Sequence, residues 1–192
     1  IRRAAVAALA NFKDTQIIKI LINYLADPDS GVRNAAAKGL REHGKESRAL
    51  VLDLFESENS PIDSALDALT PGEPESLVSL RTYARREITH ARTLRKQFAS
   101  LPSSGPAVTL LKDRLHLQAA LREGRLIKTV GLLGDMYTME LVRKSMQGTN
   151  IENRAAALEA LDTIGDRKLA RNIVSLLEEE PEPDDLSDVI AV

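Results

Sequence analysis

Apolar residues recur every three or four positions through most of this chain, and the runs are broken by short clusters of Asp, Pro, Gly, Ser and Asn. That spacing is the helical one, because residues so placed share one face of a helix and form a stripe that must be buried. Ile17, Ile18, Leu21, Ile22 and Leu25 make such a stripe in a helix expected over residues 14–25. The cluster Asp27-Pro28-Asp29-Ser30 ends that helix and caps the next, since the Asp29 or Ser30 side chain can accept a hydrogen bond from a first-turn amide. Val32, Ala35, Ala36, Gly39 and Leu40 then give an inner face small enough for close approach of a neighbour, until Gly44 stops the helix. Leu50, Val51, Leu54 and Phe55 belong to the next helix. Ile62, Ala65, Leu66 and Leu69 belong to the one after, with Ser60 expected as its cap and Pro61 at its first position.

After the breaker Thr70-Pro71-Gly72-Glu73-Pro74 the pattern lengthens. Leu77, Leu80, Ala84, Ile88, Ala91, Leu94, Phe98 and Leu101 stay in phase without Gly or Pro, predicting one long helix over residues 75–101. Past Pro102-Ser103-Ser104-Gly105-Pro106, residues 107–133 form a second long helix with Val108, Leu111, Leu115, Ala119, Leu126, Val130 and Leu133 available for packing. Together they predict an antiparallel hairpin. Gly124 marks a bend or a close contact in its second arm. Shorter helices return over residues 137–146, 152–164 and 168–178.

A local phrase repeats as well. Arg2 to Leu9, Arg33 to Leu40 and Arg154 to Leu161 each place an Arg seven residues before a Leu in an alanine-rich helix, and residues 62–69 are a weaker copy with Ile62 in the Arg position. A capped turn, an Arg and a small-faced helix recurring together resemble HEAT repeats. The resemblance implies an all-α, right-handed α-solenoid of HEAT-like helical hairpins with a long antiparallel helical hairpin in the middle. Residues 1–70 are then HEAT-like repeats, the first truncated. Residues 71–136 are the long hairpin, 137–180 further HEAT-like repeats of the same continuous solenoid, and 181–192 an acidic C-terminal segment. Residues 75–178, through the stretches 126–134 and 153–162, also resemble the HEAT region of bacterial proteins that combine an ATP/ADP-translocase-like transporter, helical repeats and a cyclic-nucleotide-binding domain. That likeness implies a connector on the cytoplasmic side of a membrane protein. Ile1 falls inside a repeat, so the chain is expected to be a piece of a longer protein.

Composition narrows the chemistry. With 43% hydrophobic residues, 3% aromatics and no Trp, the core must be aliphatic; with no Cys, disulfide and thiolate chemistry are excluded. His43, His90 and His116 stand apart, without a second ligand at metal-motif spacing, and are expected to be partly exposed helical histidines. No phosphate-binding glycine loop and no nucleophile elbow occurs. The expectation is therefore a non-enzymatic scaffold for an unknown protein or a neighbouring domain, needing no cofactor and no metal.

Two sets of cations remain. Arg2, Arg33 and Arg154 recur with the repeat, and each guanidinium is expected to bind a carboxylate or turn carbonyl, forming a structural ladder. Arg81, Arg85, Arg92 and Lys96 line one side of the first long helix, with Arg86 and Arg95 nearby. They are the candidate interaction surface. The alternatives are a nucleic-acid or nucleotide-phosphate site, or a solvated face balanced by acids such as the 178–185 run. A net charge of -2 and scarce aromatics argue against nucleic acid.

Overall fold

The computed structural model describes residues 1–12, 14–57, 59–102, 105–134 and 167–178. All regular structure among them is helical: α1 (Arg2–Leu9), α2 (Thr15–Tyr24), α3 (Ser30–His43), α4 (Lys45–Asp53) with a 3₁₀ turn (Leu54–Glu56), α5 (Ile62–Asp67), α6 (Pro74–Ala99), α7 (Pro106–Leu133) and α8 (Arg167–Glu178). The helices expected over residues 137–146 and 152–164, Arg154 and the acidic segment 181–192 lie outside the described residues.

Short polar residues punctuate the chain. Asp14 caps α2 by accepting from the Gln16 amide at 2.8 Å. Asp29 caps α3, its Oδ1 taking the amides of Gly31 at 2.7 Å and Val32 at 3.2 Å. Gly44, at φ +57°, reverses the chain in one residue between α3 and α4. The buried Ser47 hydroxyl then donates to the carbonyls of Leu40 at 2.5 Å and Gly44 at 3.0 Å, closing the end of α3.

One start differs from expectation. Ser60 does not cap α5: Pro61 sits at φ −75°, ψ 63°, and the Ile62 amide bonds back to the Ser60 carbonyl at 2.8 Å. This is an inverse γ-turn, which puts Pro61 outside the helix and starts it at Ile62.

The helices stack in two layers. α1, α3, α5 and α7 touch in succession on one side, and α2, α4 and α6 on the other, with α2 against α3 and α6 against α7 joining the layers. This is an all-α solenoid. The long hairpin continues both layers: α6 takes the place beside α4, and α7 the place beside α5. Its antiparallel sense is fixed at its base, where the Gly72 amide bonds the Leu132 carbonyl at 2.9 Å.

The core is aliphatic and continuous. Ile18, Leu21, Leu25, Val32, Ala36, Leu40, Leu80, Ala84, Ile88, Leu126 and Val130 are all buried in it. Gly39 lies against the C-terminal end of α1 and against α2, since a Cβ there would stand 2.6 Å from the Ala10 Cβ and 3.2 Å from Leu21 Cδ1. The small inner face of α3 is thus a steric requirement. Gly124 behaves otherwise than expected. α7 runs unbroken through it, and a Cβ there would meet nothing within 4 Å. Leu111, expected in the packing, is 45% exposed. α5 spans only six residues and meets α7 at Arg125 and Lys128, so the N-terminal half of α7 runs past it.

Candidate interaction surface

Two of the repeat arginines, Arg2 and Arg33, meet the turn before α3. Arg33 Nη1 donates to the carbonyls of Asp27 at 2.8 Å and Pro28 at 2.9 Å, within the turn before its own helix. Arg2, one repeat earlier, reaches the Asp27 carboxylate at 3.4 Å, and that carboxylate also accepts the Asp29 amide at 2.9 Å. Arg2, Asp27 and Arg33 thus form one continuous set of contacts. Replacing Arg33 with Ala leaves two turn carbonyls without their charged donor, at a cost of about 1.5–3 kcal/mol. A fall in Tm of roughly 3–12 °C is expected for a chain of this size, and an unchanged thermal melt would rule out a structural role.

The basic side of α6 divides. Arg85 and Lys96 are exposed, whereas Arg81 and Arg92 are half-buried. Arg92 turns to α8, its Nη2 lying 3.3 Å from Ser175 Oγ and 3.5 Å from the Asn172 carbonyl. Arg95 donates to the Leu176 carbonyl and, at 2.6 Å, to Glu123 of α7. Arg92 thus meets the middle of α8 and Arg95 its last turn, where the terminal carbonyls and the helix dipole favour positive charge. The four residues expected on one open surface are not presented together. The acids expected to balance them lie, from residue 179 onward, outside the described residues.

Sequence reading missed a buried polar group between α6 and α7. Glu87 is 3% exposed, and its Oε1 accepts from Arg122 Nη1 at 2.9 Å. The same Nη1 stands 3.1 Å from His90 Nδ1. Among the described residues Glu87 Oε2, Arg122 Nε and the Tyr83 hydroxyl are buried without a hydrogen-bond partner. Burial first, then the Glu87 charge, holds the Tyr83 hydroxyl above its usual pKa. The available signal was faint: Tyr83 and Glu87, four residues apart, fall on the face of Leu80, Ala84 and Ile88.

The histidines separate too. His116 is exposed and His90 half-buried, but His43 is buried at 5% exposure. The last turn of α3 packs His43 on the same face as Ala36, Gly39 and Leu40, which overturns the expectation that it is partly exposed. Among the described residues no group of three or more His, Cys, Asp or Glu could hold a metal ion.

A seam of charge joins the hairpin to the preceding repeats. Arg125 bonds Asp63 at 2.9 Å, and Lys128 bonds Asp67 at 3.0 Å. Arg48 pairs with Glu73 and Glu75, while Lys45 stands 3.1 Å from Glu75. The Lys45 hydrogen bond, reinforced by both positive charges, holds the Glu75 carboxyl below its usual range.

An open concavity lies between α1 and α3. It encloses about 460 Å³, with Ala7, Ala10, Ala35 and Gly39 among its lining and Arg3, Asn34 and Lys38 bringing polar side chains to it. Lys38 is 3.7 Å from Glu42 one turn on, with its side chain 77% exposed. Small residues leave room for an incoming side chain, and the polar groups can meet a peptide backbone or a carboxylate.

No described helix is long and apolar enough to cross a membrane. No curated protein and no solved structure matches the chain, and the narrower likeness of residues 75–178 stays a sequence expectation. Among known families HEAT repeats match, over residues 1–70, so the part of the chain that forms α1 to α5 is similar to HEAT repeats.

Proposed function

We propose that this chain is a protein-interaction scaffold that performs no bond chemistry and docks a partner protein, or a neighbouring domain, in the concavity between α1 and α3. HEAT repeats are commonly scaffolds of this kind. The carrying observation is the groove itself: small side chains and the polar Arg3, Asn34 and Lys38 line a space of about 460 Å³ between two successive helices of one layer. Stacked hairpins suit the role because each unit holds its neighbours in register and the ridge stays rigid when a partner arrives.

A displayed peptide library panned on the purified chain tests the reading. Asn34→Arg narrows the groove and Lys38→Glu reverses its charge, and both positions are exposed. Each variant is expected to weaken a selected ligand by about tenfold, or ~1.4 kcal/mol, with Tm unchanged. Binding indifferent to both variants overturns the site. Reproducible turnover that a point variant abolishes overturns the scaffold reading. Steeply salt-dependent binding to DNA, RNA or nucleotides, lost in Arg85→Ala with Lys96→Ala, replaces it with phosphate recognition.

A further inference from the structure

We infer that the open face of α7 pairs with the same face of a second copy of this chain, the two helices running antiparallel about a two-fold axis at Leu117. Leu110, Leu117 and Leu121 are 72%, 49% and 47% exposed. The opposite side of α7 is committed inward, with Ala119, Leu126 and Val130 buried and Lys112 over the Phe98 ring of α6 at 5.3 Å. Gly124 continues the leucine stripe, and the position its Cβ would occupy is open.

The spacing makes the stripe complementary to itself. Leu110, Leu117 and Gly124 stand seven residues apart, so a large side chain and an empty position lie equally far on either side of Leu117. Residues seven apart fall on almost the same side of a helix. In an antiparallel pair centred on Leu117, Leu110 of each copy meets the bare Gly124 of the other, and the two Leu117 side chains face each other. The same symmetry sets Asp113 opposite Leu121 and Arg114 opposite Ala120, so no like charges are opposed. It also sets Pro106, where α7 begins, opposite Lys128, so each incoming helix starts just as it reaches the residue that α5 engages.

Area sets the strength. A helix face of 14 steps is roughly 21 Å long and about 10 Å wide, well short of the ~800 Å² per partner of a standard interface. The pairing is therefore weak and concentration-dependent. It uses no residue of the groove between α1 and α3, so it stands or falls independently of the scaffold reading.

The native chain has no Cys, which allows a clean cross-linking test. Leu117→Cys, mildly oxidised, is expected to give a covalent dimer about tenfold faster than Val78→Cys, because paired helices raise the local thiol concentration. Val78 is a suitable control, being 72% exposed on α6. Sedimentation of the native chain from about 10 μM to about 1 mM should show reversible dimerisation that Leu117→Glu abolishes. Equal cross-linking of the two cysteine variants, or a native monomer throughout that range, overturns the proposal. A chain that stays monomeric but binds an amphipathic helical peptide through Leu117 also overturns it, and assigns the face to a foreign helix.

Discussion

Glu87→Ala lowers the thermal midpoint by roughly 6–20 °C: removing one partner of a buried ion pair costs about 3–5 kcal/mol, and each kcal/mol shifts a chain of this size by about 2–4 °C. The cost arises from what is left behind. Without the carboxylate, Arg122 keeps its charge between α6 and α7 with its Nε already unpartnered among the described residues. The Arg122 side chain retains 22% exposure, so solvent recovers part of the loss and the lower half of the range is expected. Replacing both residues, Glu87→Leu with Arg122→Met, removes the stranded charge and should restore most of the midpoint. Thermal melts of the two singles and the double separate the cases. A Glu87→Ala melt that overlays the native one, or a double variant worse than either single, would show that this pair does not hold the hairpin.

What sequence showed and what it hid divide along distance in the chain. Asp29 capping α3, Gly44 ending it, and the long arms α6 and α7 follow from residues within a turn or two of one another, and local spacing carries that information. The Glu87–Arg122 pair spans 35 residues and exists only once the register of the two arms is set. Arg92, in the basic stripe, and Arg95 beside it were readable as cations but not as partners of α8, because their acceptors there, the Asn172 and Leu176 carbonyls and the Ser175 hydroxyl, lie some 80 residues away. A backbone carbonyl leaves no signature in a side-chain pattern. His43 shows the opposite weakness. Its position in the 3.6-residue period points inward, beside Ala36 and Leu40, whereas the residue type on its own favours only intermediate burial.

Phe55→Ala tests whether the long hairpin and the repeats before it behave as one cooperative body. Phe55 is 2% exposed in the 3₁₀ turn after α4 and meets the Tyr83 ring of α6 edge-on, centroids 4.9 Å apart at 61°. Arg86 tightens the same joint, its guanidinium 5.6 Å from the Tyr83 ring centroid and donating to the Phe55 carbonyl. Truncation removes about 3–5 kcal/mol of buried aromatic packing, and the lost ring pair accounts for about 0.5–1.5 kcal/mol beyond area. In stacked repeats stability divides into each unit's own share and the coupling to its neighbours, and Phe55 lies on a coupling. The expected result is therefore both a lower midpoint and a broken transition. In urea, amide exchange in α2 and α3 should open at a different denaturant concentration from exchange in α6 and α7, whereas the native chain opens both together. The charged seam of Arg125 with Asp63 and Lys128 with Asp67 does not replace the lost coupling, since exposed pairs contribute little once screened. A variant that keeps one sharp transition at the native midpoint would mean that the hairpin is coupled to the repeats elsewhere, through α5 and α7, and that the aromatic joint only fills space.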